Sequence, residues 1–174
     1  SLSSIFTEAF RDNLGWEKAW TKRQPKKEYQ IIIVGGGGHG LATAYYLAKN
    51  YNITDIAVIE KGWIGGGNTG RNTTIIRSNY LQESSIGIYE KSRFLYETLS
   101  QDLNYNIMFS PRGVLMLCQT EHELRAMKRT SHANRINGVD TKMVTPEEVK
   151  EIVPIINIDG PRFPVLGALW QPRG

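Results

Sequence analysis

Residues 30–40 read Gln-Ile-Ile-Ile-Val-Gly-Gly-Gly-Gly-His-Gly, and no other stretch narrows the possible folds as far. Ile31–Val34 is a short apolar run of the kind that forms a buried parallel strand. It opens directly into Gly35-x-Gly37-x-x-Gly40, and Leu41–Ala48 continues with helical character. A second apolar run, Ile56–Ile59, ends at Glu60. Strand, glycine turn, helix, strand and acid follow one another in the order of a dinucleotide-binding βαβ unit.

Each position has a physical task in such a unit. Gly35 permits the tight turn out of the strand, Gly37 lets a pyrophosphate approach the backbone, and Gly40 lets the helix pack closely on the sheet. Gly38 and His39 stand at the helix N-terminus, which offers unpaired N–H groups and a partial positive charge to phosphates. Ala44, four residues after Gly40, keeps the same helix face small. At the end of the second strand, Glu60 can accept both hydroxyls of an adenosine ribose; an acid there disfavours a 2′-phosphate, and with it NADP. Glycines alone also suit a plain turn between two core elements. The register of strand, helix and acid selects the nucleotide reading.

A chain of 174 residues with 40% hydrophobic residues can bury a real core. No apolar stretch has the length of a membrane span, and no signal-peptide core follows Ser1, so a soluble, cytoplasmic protein is expected. The single cysteine, Cys118, excludes an internal disulfide and fits a reducing compartment; within Val114–Cys118 it reads as a small buried apolar residue, a reactive thiol being the minor alternative. The net charge of +4 is a mild excess. The basic run Lys22-Arg23-Gln-Pro-Lys26-Lys27 lacks interleaved aromatics, so it reads as a solvated linker rather than a nucleic-acid surface. His39, His122 and His132 lack chelating spacing, so no metal site is expected.

Ahead of the first strand, Ile5-Phe6, Phe10, Leu14, Trp16 and Trp20 carry apolar bulk at loosely helical spacing, which suggests docking on the domain itself or on another subunit. After Glu60, the glycine-rich segment Lys61–Asn72 is too polar for core and long enough to fold back over a bound cofactor. An NAD site has no isoalloxazine to cover there, so the segment favours FAD. Arg77 emerges from Thr73-Thr74-Ile75-Ile76 as a candidate carboxylate binder, with pairing to a nearby acid as the alternative. Downstream, a helix is predicted over 82–102, and a strand or hairpin over Met108–Gln119, interrupted at Pro111-Arg112-Gly113. Thr120/Glu123 and Thr145/Glu148 are capping boxes for one helix ending near Ile136 and another stopping before Pro154.

With these residues in view, the chain resembles the FAD-dependent amine oxidases of the D-amino-acid-oxidase and glycine-oxidase type. More narrowly, it is similar to the beta-subunit family of heterotetrameric sarcosine oxidases. The narrowest strings are Val34–Ala48, Glu60-Lys-Gly-Trp63, Arg71-Asn-Thr-Thr-Ile-Ile-Arg-Ser-Asn-Tyr80, Gly87-Ile-Tyr-Glu-Lys91, Pro154-Ile-Ile-Asn157 and Trp170-Gln-Pro-Arg173. The resemblance implies an α/β fold: an N-terminal extension over 1–29, a Rossmann-like FAD-binding part over 30–104, and part of an interleaved α+β substrate domain over 105–174, incomplete at the C-terminus.

The resemblance also implies roles. Gly35, Gly37, Gly38, His39 and Gly40 would line the FAD pyrophosphate, and Glu60 would take the adenosine ribose with Lys61 beside it. Asn68, Arg71, Asn72, Thr73, Thr74 and Ile76 would wrap the pyrophosphate, ribityl chain and flavin. Arg77 matches a carboxylate-binding arginine of related sarcosine oxidases. In such enzymes the N-methyl group of sarcosine is oxidised at FAD, electrons pass to a covalently attached FMN, and oxygen is reduced there to hydrogen peroxide. Tetrahydrofolate on a partner subunit can capture the one-carbon product, and the partners are the alpha, gamma and delta subunits. The family's FMN-linking histidine lies a few residues past the Gln-Pro-Arg pattern, so the attachment residue is expected outside this chain. On this reading the chain is a fragment of a longer subunit, without turnover by itself. The alternatives are a sarcosine or dimethylglycine dehydrogenase and a non-catalytic FAD-binding module.

Overall fold

A computed structural model describes residues 2–11 and 24–174. Leu14, Trp16, Trp20, Lys22 and Arg23 lie outside the described residues. Within the docking segment, Phe6 and Phe10 are exposed on α1 (Leu2–Phe10). The chain divides into two compact units, Ser1–Asn72 and Thr73–Gly174.

The first unit is built on one βαβ crossover. Strand β1 (Ile31–Val34) pairs in parallel with β2 (Ile56–Ile59), Ile31 opposite Ile56 and Val34 opposite Ile59. Helix α2 (Gly38–Tyr51) joins them. It ends on Asn52 in the left-handed region (φ 55°), whose N–H closes onto Ala48 O while Ile53 N–H reaches Leu47 O. The basic run ahead of β1 is more than solvated linker. Lys26 Nζ lies 2.6 Å from Asp55 Oδ1, and Gln30 N–H donates to Asp55 Oδ2, so the entry to β1 is tied to the entry to β2. One expectation fails: Ile31–Val34 is not a buried strand. Ile32 and Val34 are exposed, and the strand alternates half-buried with exposed residues, because among the described residues the sheet has only two strands and one covering helix.

The second unit is a three-stranded antiparallel sheet with helices. Strands β3 (Val114–Cys118), β4 (Lys142–Val144) and β5 (Gly167–Gln171) are ordered β3-β5-β4, with Cys118 opposite Gly167 and Val144 opposite Ala168. The central strand β5 is the most buried, and Ala168 packs with Val144, Val149 and Val165 in the core. Gly167 is required where it stands. Its φ is +148°, and a Cβ there would lie 2.9 Å from Val144 O. Helices α3 (Glu83–Leu103), α4 (Glu121–Ile136) and α5 (Pro146–Ile152) complete the unit.

Both capping boxes form. Glu123 N–H donates to Thr120 Oγ1 at 3.2 Å and Thr120 N–H returns to Glu123 Oε2 at 3.0 Å; Thr145 and Glu148 repeat the exchange at 3.3 and 2.8 Å. Only Val114–Cys118 of the predicted Met108–Gln119 stretch is strand, since Met108 and Gly113 both have positive φ. Cys118 is fully buried, and burial pushes its thiol up, as suits a packed apolar residue. The sequence reading divides the chain after residue 104, whereas contacts divide it at Asn72/Thr73. On α3, Glu90 binds Ser78, and Glu97, paired with Arg93 of the same helix, binds Arg173 just after β5. No helix among the described residues is long and apolar enough to cross a membrane.

Candidate functional site

In the first unit the glycine turn, Glu60 and the segment after it converge. Gly35, at φ +110°, turns the chain out of β1, and its N–H donates to Ile59 O at 2.7 Å. A Cβ on Gly40 would lie 2.0 Å from Gly35 O, so only glycine lets α2 approach β1 this closely. The helix begins on Gly37, which has no side chain to cap it. In its first turn the Gly38 N–H donates instead to Thr69 Oγ1 at 2.9 Å. His39 is exposed in the same turn, and its carbonyl accepts from Thr43 Oγ1.

Glu60 is held by backbone alone. Gly36 N–H donates to its Oε2 and Gly62 N–H to its Oε1, each at 2.8 Å. These donors, Gly36 first, hold its carboxyl below the usual carboxylate range. Each carboxylate oxygen keeps further acceptor capacity, which two vicinal hydroxyls can use. Lys61 is exposed beside it.

The glycine-rich segment Lys61–Asn72 does fold back. Gly65 N–H donates to Gly36 O at 2.9 Å, Gly70 N–H to Gly65 O at 2.9 Å, and Asn68–Arg71 forms a 3-10 turn. The Trp63 indole, itself exposed, lies against Gly66 of this loop, where a Cβ would come within 2.6 Å of it. Asn68, Arg71 and Asn72 are exposed, with Asn72 Nδ2 donating to Thr69 O. Thr69 is absent from the sequence-derived set although it touches the turn most directly. A side chain on Gly37 would also meet it, with a Cβ 3.1 Å from Thr69 Oγ1. A cradle of glycines, an uncapped helix start and an acid with free acceptor capacity fit the diphosphate and ribose of an adenine dinucleotide.

The remaining candidates belong to the second unit. Thr73 and Thr74 are exposed, and Thr74 lies at φ +56°, an uncommon conformation for a β-branched residue. Ile76 is half-buried. Arg77 Nη1 donates to Asn79 Oδ1 at 2.7 Å and approaches Met116 Sδ at 3.7 Å, while its guanidinium lies 4.4 Å from the Tyr80 ring centroid. Tyr80 in turn stacks on Tyr89 at 4.1 Å. Among the described residues no carboxylate lies within ion-pair distance of Arg77, so the acid-paired alternative has no partner here.

Behind Arg77 lies a buried polar relay. Ser78 N–H donates to Gln171 Oε1 at 3.2 Å, Gln171 Nε2 donates to Ser78 Oγ at 2.7 Å, and Ser78 Oγ donates to the Glu90 carboxylate. Ser78 is 0% and Gln171 1% exposed. Arg93, 3% exposed, binds both Glu90 and Glu97, and Arg173 closes on Glu97 at 2.8 and 2.9 Å. Arg93 above all holds the Glu90 carboxyl below its usual range. Ser78, Glu90, Gln171 and Arg173 lie in the Arg71–Tyr80, Gly87–Lys91 and Trp170–Arg173 strings, which carry the resemblance without roles for them; Arg93 and Glu97 lie outside those strings, on α3. Gln171, a polar residue closing the apolar run Ala168–Trp170, is a signal that could have found one of them.

A family model for FAD dependent oxidoreductases (DAO) matches residues 30–174. The chain belongs to that family. Sarcosine oxidase subunit beta of Rhodobacter capsulatus is 64% identical over 174 residues, which is 100% of this chain and 42% of the relative. Sarcosine oxidase subunit beta of Arthrobacter sp is 60% identical over 158 residues, covering 90% of this chain and 39% of the relative. Among solved structures, L-proline dehydrogenase from P. horikoshii superposes with a TM-score of 0.74 at 35% identity, over 86% of this chain and 37% of that one. The chain thus spans about two fifths of the length of the curated relatives it matches. The α/β, Rossmann-like character expected of the fold is found in a family of flavin-dependent enzymes, and FAD is the family's cofactor.

Proposed function

We propose that this chain is the cofactor-gripping part of a sarcosine oxidase beta subunit, and that the complete subunit oxidises sarcosine with FAD. The observation that carries this reading is the first unit's turn: Glu60 locked by Gly36 and Gly62, next to a helix that starts on a glycine with no capping side chain of its own. Identities of 64% and 60% to two subunits of that name support the substrate.

In this reading Gly35, Gly37, Gly38, His39 and Gly40 line the FAD diphosphate, and Glu60, with Lys61 alongside, accepts the ribose hydroxyls. Asn68, Arg71, Asn72, Thr73, Thr74 and Ile76 contact the rest of the cofactor. Arg77 holds the substrate carboxylate, leaving the N-methyl group as the part free to react. FAD, when bound, supplies the two-electron oxidant for that methyl group. The protein's own contribution is orientation and charge.

The finer assignments rest on the family resemblance. They are glycine and hydrogen peroxide as products, a one-carbon unit passed to tetrahydrofolate on a partner, a covalent FMN attached outside this chain, and alpha, gamma and delta subunits as partners. A cytoplasmic location rests on the lone buried cysteine.

Anaerobic addition of sarcosine to the complete subunit should bleach the FAD absorbance, and readmitted oxygen should restore it with release of peroxide. An unbleached flavin would favour a non-catalytic binding module. Bleaching without peroxide, but with dye reduction, would favour a dehydrogenase.

A further inference from the structure

The geometry points to Asn79 as the residue that decides how Arg77 meets a carboxylate. This rests on the reading of Arg77 above and extends it to a second residue. A guanidinium can bind a carboxylate end-on, through Nη1 and Nη2, or side-on, through Nε and Nη2. Here Nη1 is already engaged, donating to Asn79 Oδ1 at 2.7 Å and facing Met116 Sδ at 3.7 Å. One face of the guanidinium is covered by the Tyr80 ring. The edge that remains for a ligand is Nε with Nη2. Asn79 therefore presents Arg77 side-on to the planar carboxylate of a small amino acid.

Asn79 can do this because it is buried and tethered. It is 2% exposed, and its own Nδ2 donates to Met116 Sδ at 3.4 Å. The neighbouring backbone is clamped through Ser78, whose N–H and hydroxyl exchange hydrogen bonds with Gln171 and whose hydroxyl also reaches Glu90. An amide is the fitting side chain between Arg77 and a substrate acid. Its oxygen accepts from Nη1 without carrying a charge that would compete for the guanidinium.

The test compares Asn79→Asp, Asn79→Ala and Arg77→Ala in the complete holoenzyme. The probe is methoxyacetate, a sarcosine isostere whose ether oxygen replaces the amine, and its Kd is read by calorimetry. The aspartate keeps the shape but pairs with Arg77, so the Kd and the sarcosine KM should each rise about 10-fold or more, with kcat at saturation within about twofold. The alanine removes the acceptor without adding a rival charge, and its effect should be smaller, about 3-fold. A side chain that merely fills space would reverse that order. A Kd rise in Arg77→Ala with Asn79→Asp no worse than Asn79→Ala would overturn the role of Asn79 and leave that of Arg77 standing. An unchanged Kd in Arg77→Ala would overturn both. Should Asn79→Asp fail to fold, Ser78→Ala loosens the same clamp from behind. It should raise the methoxyacetate Kd about 3-fold at constant kcat, and no rise would again refute the positioning role.

Discussion

Gly40→Ala is expected to strip the complete subunit of FAD. The added Cβ would stand 2.0 Å from Gly35 O, closer than real Cβ atoms come, and a tight 3.2 Å from Gly35 C. The obstacle is backbone, so no rotamer change relieves it. Nor can β1 swing away, because Gly35 N–H is bound to Ile59 O at 2.7 Å and the strand is in register with β2. The helix must lift from the sheet, and its first turn then leaves the position from which Gly38 reaches Thr69. Overpacking of this kind costs about 1–3 kcal/mol even where side chains can yield, so an affinity loss of about 100-fold or more is expected. Gly38→Ala is the control. A Cβ there meets Thr69 only at 3.6 and 3.7 Å, an ordinary contact, and the loss should be far smaller. FAD content after gel filtration distinguishes the two.

Arg77→Ala is expected to raise the sarcosine KM about 100-fold in the complete enzyme while changing kcat little, the pattern of lost ground-state and transition-state binding alike. The guanidinium lies over the Tyr80 ring and, among the described residues, has no acid of its own. A substrate carboxylate would be its charge partner. An N-methylated amine without a carboxylate should be oxidised equally poorly by the parent enzyme and the variant. Equal losses towards that amine and towards sarcosine would assign Arg77 another task.

The part of the site that could be read in the sequence is the part whose physics is local. A glycine at a tight turn, a helix N-terminus and an acid closing a strand are fixed by spacing along a few dozen residues, and the turn from Gly35 to Gly40 forms as that spacing requires. The capping boxes at Thr120 and Thr145 were legible for the same reason. What escaped depends on partners distant in the chain. β4 is three residues long and β5 begins on a glycine, so neither shows strand periodicity; both exist because β5 pairs with β3 and β4 on its two edges. Ser78 and Gln171 are 93 residues apart, and no spacing rule joins them. Thr69 was hidden inside a segment read as flexible loop, where a hydroxyl aimed at a helix N–H has no sequence signature. The exposure of Ile32 and Val34 runs the other way. Their composition signals a strand covered on both sides, and among the described residues the sheet has just two strands.

Competition between adenosine diphosphate and FAD for the complete apo-subunit probes the grip itself. Adenosine diphosphate carries the diphosphate and ribose that the glycine turn and Glu60 are shaped to hold, and riboflavin carries neither. Displacement of FAD by adenosine diphosphate, with none by riboflavin at equal concentration, is the expected result. Displacement by riboflavin alone would mean that the amino-terminal unit does not hold the cofactor by its adenine half.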